Sequence, residues 1–240
     1  MRDEDPTVVL LPGLACDAEA WSGIAAPLAA CWRVHVSDAH FRATTMIGMA
    51  RQLLAQVQGP LVLAGHSMGG MLALAAQRIA PPRVKALALL ASSARPDTPE
   101  LLRLRSEAVA MFEAGRVDEV LRANLPFAFH AARAGDTDLA QRYLALVRRA
   151  GAAQLAAQNR ALMVRIDSRP LLARIGCPLL VVCGDGDLLT PPEHAAEIAA
   201  AVPGAQLELL AGCGHMLTLE APERVASLLR DWLQQVAPVR

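Results

Sequence analysis

The 240-residue sequence is poor in aromatic side chains and has no excess of charge of either sign. Aromatic residues make up 3% of the chain, and Tyr143 is its only tyrosine, so platforms on which bases or sugars stack are not expected. The 23 basic and 23 acidic residues give a formal net charge of zero, whereas nucleic-acid-binding proteins present a basic face. We therefore expect no nucleic-acid partner.

Long apolar runs and a leader-type N-terminus are also lacking. No stretch approaches the ~20 consecutive apolar residues that cross a bilayer. The first six residues are mainly acidic, whereas a secretory signal begins with basic residues. We therefore expect a cytoplasmic protein that has no membrane partner.

Cysteine is scarce and its spacing does not suit a metal site or a disulfide framework. The five cysteines are odd in number and form no Cys-x-x-Cys pair, the spacing that zinc sites commonly use. We interpret Cys16, Cys31, Cys177, Cys183 and Cys213 as small buried hydrophobic residues. Neither a metal ion nor an organic cofactor is expected, and the oligomeric state cannot be predicted from these features.

The chain does contain short apolar runs that alternate with amphipathic segments. Continuous apolar strands separated by helices predict a parallel sheet with helices on both faces. We expect a mostly parallel six-stranded sheet in an α/β fold. The predicted strands are Thr7–Leu11, Trp32–Ser37, Pro60–Ala64, Val84–Leu90, Cys177–Cys183 and Gln206–Leu210.

This alternation stops between about Ala94 and Pro170, where only helical patterns occur. The predicted helices there are Pro99–Ala114, Val117–Ala123, Thr137–Ala150 and Ala152–Ile166. We therefore divide the chain into a core, residues 1–94 and 171–240, and an all-helical cap, residues 95–170. Such a cap excludes water and supplies substrate contacts. A purely structural excursion is the alternative.

The third predicted strand leads into Gly65-His66-Ser67-Met68-Gly69, a G-x-S-x-G pattern, and an apolar helical run follows it. In a strand–turn–helix of this kind the glycines let backbone segments pass closely, and the serine occupies a strained, exposed turn. Ser67 is therefore the candidate nucleophile. The backbone N–H of Met68 is a candidate donor to an oxyanion.

A serine hydroxyl needs a histidine base, and that histidine needs a carboxylate to orient it. Asp187 follows the fifth predicted strand, in the region where the active sites of open α/β sheets gather. Asp185 in the same loop and Asp97 after the fourth strand are the alternatives. His215 lies on a glycine-rich loop after the sixth strand and is the candidate base.

The loop after the first strand, Leu11–Asp17, is expected to supply a second oxyanion donor, which we assign to the N–H of Leu14. An ordinary strand-to-helix turn is the alternative interpretation of this loop. We interpret the histidines other than His215 as surface or packed residues, and expect His66 to point away from the nucleophile. They are His35, His40, His66, His130 and His194.

The four loops around Leu14, Ser67, Asp187 and His215 occur in the order found in the α/β-hydrolase superfamily. The sequence resembles that superfamily over nearly its whole length, and its C-terminal part resembles the serine carboxylesterase-like members. The resemblance implies that Ser67 is the nucleophile, His215 the base and Asp187 the orienting acid.

Two departures from the family pattern stand out. The family commonly begins with an antiparallel hairpin, which we expect to be missing because six residues precede Thr7. The family often has His-Gly where this chain has Pro12-Gly13. That change keeps the backbone donor and removes one side chain near the substrate entrance.

The resemblance also narrows the reaction. Dehalogenases and epoxide hydrolases of this fold use an aspartate nucleophile, and hydroxynitrile lyases of this fold need a lysine where this chain has Met216. We expect hydrolysis of a carboxylic ester with a small or medium acyl group through an acyl-enzyme. A lactonase, a carbon–carbon bond hydrolase and a ligand-binding signalling protein that retains the triad are the alternatives. The expected partner is a small ester-like molecule.

Overall fold

The computed structural model of the protein describes residues 5–238. It contains one six-stranded sheet of order β2-β1-β3-β4-β5-β6, in which every pairing is parallel. The strands are β1 (Thr7–Leu11), β2 (Val34–Val36), β3 (Leu61–His66), β4 (Val84–Leu90), β5 (Leu179–Gly184) and β6 (Gln206–Leu210). The predicted parallel sheet is confirmed, and in the described part of the chain no strand precedes β1.

Ten α-helices connect and cover the strands within residues 5–238. They are α1 (Ser22–Ala29), α2 (Met46–Gln56), α3 (Met68–Ile79), α4 (Pro99–Glu113), α5 (Val117–Ala128), α6 (Thr137–Met163), α7 (Arg169–Leu172), α8 (Pro192–Ala201), α9 (Leu217–Glu220) and α10 (Pro222–Val236). None of the described helices has the length and apolar composition needed to cross a bilayer. The cytoplasmic location stays a prediction.

The two faces of the sheet are buried in separate apolar layers because strand side chains alternate in direction. Val8 and Leu10 of β1 belong to a cluster with Trp21 and with Trp232 of α10. Val9 and Leu11 belong to the opposite cluster, which includes α2 and α3. Complete burial of each such side chain contributes about 1.5–3 kcal/mol, so this double layer holds the strand ends in fixed positions.

The helices between β4 and β5 bury an apolar layer of their own. Val109 and Phe112 of α4 pack with Leu121 of α5 and with Val147 and Leu155 of α6. Helix α6 passes through Gly151, whose φ of 76° is not helical. Two helices were predicted here, and the structure joins them across this kink. The four-residue helices α7 and α9 are too short to produce a periodic pattern, and the sequence did not predict them.

The cysteines differ in part from the interpretation as buried residues. Cys16, Cys183 and Cys213 are buried, whereas Cys177 is half-buried and Cys31 is exposed. The prediction was wrong for Cys31 because this residue follows the end of α1, at the surface. All five are free thiols. Within residues 5–238 no cluster of three or more histidine, cysteine or acidic side chains has a geometry for a metal ion.

Gly69 in the first turn of α3 lies directly against the end of β1. A Cβ at this position would overlap the carbonyl oxygen of Leu11. We predict that Gly69→Ala lowers the free energy of unfolding by about 3 kcal/mol or more, since neither backbone segment can yield. Urea unfolding followed by circular dichroism measures the effect.

Gly176→Ala is the matched control for this prediction. No atom lies within 4 Å of a Cβ built at Gly176, so the same substitution is expected to change stability by less than about 1 kcal/mol. Equal stability of the two variants would contradict a close approach of α3 to β1.

Candidate active site

Ser67 occupies the sharp turn between β3 and α3. Its φ of 54° and ψ of −118° are unusual for a residue with a side chain and cost about 1–3 kcal/mol. The surrounding backbone holds this conformation: the Ser67 N–H donates to the Leu90 carbonyl over 2.8 Å. The Ser67 carbonyl accepts hydrogen bonds from the Gly70 N–H and the Ser92 hydroxyl, both at 2.9 Å. The turn therefore presents the hydroxyl at the carboxyl edge of the sheet.

The loops after β5 and β6 bring Asp187 and His215 to this serine. The His215 Nε2 atom lies 2.9 Å from the Ser67 hydroxyl oxygen. On the other side of the ring, His215 Nδ1 lies 2.9 Å from Asp187 Oδ2 and 3.1 Å from Asp187 Oδ1. The neutral ring that satisfies both contacts carries its proton on Nδ1, donates it to the carboxylate, and accepts from the serine.

Asp187 is held as a carboxylate by four donors, although only 2% of its surface is exposed. Besides His215, the N–H groups of Leu189 and Thr190 donate to Oδ1 over 2.8 and 2.9 Å, and the Thr190 hydroxyl donates to Oδ2 over 2.8 Å. Burial by itself raises the pKa of Asp187. The attraction of His215 and these hydrogen bonds outweigh burial and lower the pKa below its ordinary value, so the group is ionised at neutral pH.

The two alternative acids are placed elsewhere. The Asp185 side chain is 45% exposed and lies beside His130, and it accepts the Gly212 N–H over 2.8 Å. Asp97 is fully buried and forms ion pairs with Arg105 at 2.7 Å and Arg165 at 2.6 Å. Of the three candidate carboxylates, the structure brings Asp187 alone to the histidine.

The loop that carries His215 is tied to the segment after α5. Glu220 accepts the Gly214 N–H at Oε1 over 2.8 Å and the His130 N–H at Oε2 over 2.9 Å. Burial raises the pKa of Glu220 despite these bonds. The Met216 N–H donates to the Ala128 carbonyl over 2.9 Å. The position of the histidine therefore depends on contacts with the inserted helices as well as with the sheet.

The N–H groups of Leu14 and Met68 donate to no acceptor within residues 5–238, and Met68 directly follows Ser67. A Cβ built at Gly13, just before Leu14, would lie 3.4 Å from the Ser67 Cβ, so the loop runs closely over Ser67. Ala15, which follows Leu14 in this loop, has a φ of 57°. Backbone N–H groups without an internal acceptor are available to a ligand oxygen.

Gln158 of α6 holds this loop in place, a contact that sequence reasoning missed. The Gln158 side chain is completely buried; its Oε1 accepts the Ala15 N–H over 2.7 Å and its Nε2 donates to the His40 carbonyl over 3.1 Å. The two partners are 143 and 118 residues away along the chain. No local pattern could have indicated them.

The interpretation of His66 as a packed residue omits its contact with His215. The His66 ring is 1% exposed, and its Nε2 lies 2.8 Å from the main-chain oxygen of His215. Because a carbonyl only accepts, His66 Nε2 must carry a proton and donate it. Burial, and then repulsion from His215, lower the pKa of His66 to about 4. The sequence feature that could have indicated this contact is the position of His66 at the end of a central strand, directly before Ser67.

The lowered pKa of His66 predicts acid sensitivity. The unfolded chain takes up a proton at this residue near its ordinary pKa of 6.5, whereas the folded protein does so at about 4. Above pH 6.5 the neutral His66 ring contributes about 3 kcal/mol to the free energy of unfolding. This contribution is lost as the pH falls from about 6.5 to about 4. The free energy of unfolding in urea, measured across this range, tests the prediction. His66→Gln, which removes the titration, is expected to flatten the curve, and an unchanged slope would contradict it.

Two comparisons with sequences place the chain among known proteins. The model of the alpha/beta hydrolase family matches residues 8–228. The pimeloyl-[acyl-carrier protein] methyl ester esterase of Neisseria meningitidis serogroup B is 28% identical in an alignment 247 positions long, gaps included. The alignment covers 98% of this chain and 95% of that enzyme.

Solved structures agree with this placement. A thermophilic esterase from Thermogutta terrifontis superposes with a TM-score of 0.89 and 27% identity, covering 97% of this chain and 90% of its own. The enol-lactonase from Burkholderia xenovorans LB400, 23% identical with a TM-score of 0.85 over 96% and 92% of the two chains, shares the fold. With most of its length matched, the chain belongs to the alpha/beta hydrolase family and is an enzyme of that family.

Proposed function

We propose that this enzyme hydrolyses carboxylic esters of small or medium acyl groups through an acyl-enzyme. Ser67 is the nucleophile, His215 the general base and Asp187 the acid that orients it. The observation that carries the proposal is the continuous series of contacts from Ser67 to His215 to Asp187, each 2.9 Å long. The esterase names of the relatives support the ester as substrate class.

In the acylation step, the Ser67 oxygen attacks the ester carbonyl carbon while its proton passes to His215 Nε2. The positive charge that forms on the imidazole lies 2.9 Å from the Asp187 carboxylate. The negative charge that forms on the carbonyl oxygen is stabilised by the N–H groups of Leu14 and Met68. Collapse of this intermediate breaks the ester bond, and His215 gives its proton to the departing alcohol.

Deacylation repeats these transfers with water. His215 takes a proton from a water molecule as the water oxygen attacks the acyl carbon, and the same two N–H groups stabilise the second oxyanion. The proton then returns to the Ser67 oxygen, and the carboxylic acid leaves. Besides the substrate and one water molecule, these steps use Ser67, His215, Asp187 and two backbone N–H groups.

We infer that residues 95–170 act as the cap of this site. The support is contact with both loops that flank the serine: Gln158 of α6 binds the Ala15 N–H, and the Ala128 carbonyl at the end of α5 binds the Met216 N–H. A cap attached at both places would exclude water and shape the acyl pocket.

The methyl ester esterase relatives suggest a small alcohol as the leaving group. A substrate panel therefore includes methyl esters of straight-chain mono- and dicarboxylic acids beside p-nitrophenyl esters. Lactones and vinylogous diketones complete the panel, because the same nucleophile and base could serve the lactonase or carbon–carbon hydrolase alternatives. If lactones or vinylogous diketones are turned over faster than every ester, the corresponding alternative replaces the ester proposal.

We predict that Ser67→Ala lowers kcat for p-nitrophenyl acetate at least ~10³-fold, and that Asp187→Asn causes a comparable loss by removing the charge that fixes the histidine tautomer. Steady-state hydrolysis measured at neutral pH checks both variants.

Asp185→Asn is the matched control, since this carboxylate lies two residues away and contacts the Gly212 N–H instead of His215. We expect it to keep kcat within about threefold, as a residue outside the transition-state contacts does. Equal losses at positions 185 and 187 would refute the assignment of the acid. Release of a single acyl group per chain, without turnover, would favour the ligand-binding alternative.

Gln158→Leu is predicted to lower kcat by about tenfold with little change in KM, because the oxyanion donor of Leu14 acts mainly in the transition state and would lose its support. Gln154→Leu serves as control: Gln154 also donates to the His40 carbonyl, over 3.2 Å, but does not contact Ala15. A similar kcat in the two variants would show that the Ala15 contact does not position the donor.

A further inference from the structure

A cavity of about 490 Å³ lies outside the proposed catalytic site, and none of Ser67, Asp187 and His215 lines it. Its floor is the outer face of α3, and its walls are the beginning of α2 and the segment of residues 161–175. We call it the α3 groove. Its volume falls within the range of about 300–1,000 Å³ that is usual for small-molecule sites.

The middle of the α3 groove is apolar. Met71, Leu74 and Ala75 follow the helical spacing that places side chains on one face of α3. At its mouth, Val164 is 72% and Ile166 is 48% exposed. Such apolar side chains flanking a concave surface are typical of a ligand site.

One end of the α3 groove is cationic. Arg78 near the end of α3 and Arg174 before β5 both line it, and within residues 5–238 neither guanidinium has an acidic or other hydrogen-bonding partner. At the opposite end, Arg95 is paired with Glu197 and Arg165 with Asp97. The charges left for a ligand are therefore concentrated at one end.

The topology explains why both arginines line the same end of the groove. Helix α3 begins at the carboxyl edge of the sheet, after β3, and ends at the opposite edge, before β4. Strand β5 pairs in parallel with β4, so the residues that precede β5 lie at that same edge. Arg78 and Arg174 therefore line the groove at this edge, and Arg78 lies about 10 Å along α3 from Met71 at a rise of 1.5 Å per residue.

Gln77 gives a second, independent indication of a ligand at the α3 groove. This side chain lines the groove and is only 7% exposed, and its Oε1 has no hydrogen-bond partner within the described residues. Buried polar groups are normally paired. The Gln77 Nε2 also makes no hydrogen bond within the described residues, so its N–H groups remain for an oxygen bound at this end of the groove.

We propose that the α3 groove binds a single-chain amphiphile with a carboxylate head, a medium-chain fatty acid. The chain lies along Met71, Leu74 and Ala75, and the carboxylate lies at the end formed by Gln77, Arg78 and Arg174. Guanidinium groups match the two oxygens of a carboxylate through paired hydrogen bonds. This site is separate from the proposed ester site and does not depend on its assignment.

Titration calorimetry with decanoate, below its micelle concentration, tests the proposal. Wild-type enzyme is first blocked at Ser67 with a p-nitrophenyl phosphonate, or replaced by Ser67→Ala, so that the acyl pocket is covered in one arm and inert in the other. We expect saturable binding of one decanoate per chain in the blocked enzyme, and binding of at least one in Ser67→Ala, whose acyl pocket stays open. Loss of all binding in the blocked enzyme, or uptake only above the micelle concentration, would overturn the proposal.

Variants then locate the site within the α3 groove. The double variant Arg78→Gln/Arg174→Gln is expected to weaken decanoate binding at least tenfold and to leave decanol binding unchanged. Arg142→Gln, which removes another exposed arginine outside the groove, is the control and should bind normally. Ala75→Phe, which fills the floor, should abolish binding of both ligands and keep p-nitrophenyl acetate hydrolysis. Decanoate affinity that is unchanged in the double variant would refute the proposed head site.

Discussion

The close contact between the first turn of α3 and the end of β1 is the constraint on which the proposed site depends. Gly69 allows the helix to approach the Leu11 carbonyl, and Gly65 allows the strand to approach the helix. That approach forces Ser67 into its strained turn. It also brings the loop that begins at Pro12 over the serine, so that a single backbone contact positions the hydroxyl and both candidate oxyanion donors.

The two buried side chains that contact His215 differ in charge. Asp187 is buried and ionised, with every oxygen in contact with a donor, whereas His66, equally buried, is held neutral. A second cation beside His215 would oppose protonation of that ring. The strand that leads to Ser67 thus ends in a polar side chain that binds the loop of His215 and adds no charge to it.

Much of the fold was readable from the sequence because its signals are local. Apolar strands of five to seven residues, such as β1 and β4, and glycines beside Ser67 specify the sheet and the turn through neighbours in the chain. The same logic put Asp187 and His215 at strand ends, where parallel topology gathers them. The family resemblance implied Asp187 as the acid, and the structure brings this carboxylate to His215.

What the sequence did not predict depends on contacts between distant segments. The bonds from Gln158 to Ala15 and from His66 to His215 join residues 143 and 149 positions apart, and a single glutamine or histidine carries no sign of such a partner. The α3 groove is similar, since Arg78 and Arg174 lie in different elements. Its walls are defined only when α2, α3 and residues 161–175 come together.

The kink at Gly151 lies in a helix that is attached to the core on both sides of it. Before the kink, Arg149 forms an ion pair with Asp17 of the loop after β1. After it, Gln158 accepts the Ala15 N–H of the same loop. The apolar layer shared with α4 and α5 also takes side chains from both halves of α6. Movement of α6 away from the core would therefore break polar contacts to that loop on both sides of the kink at once.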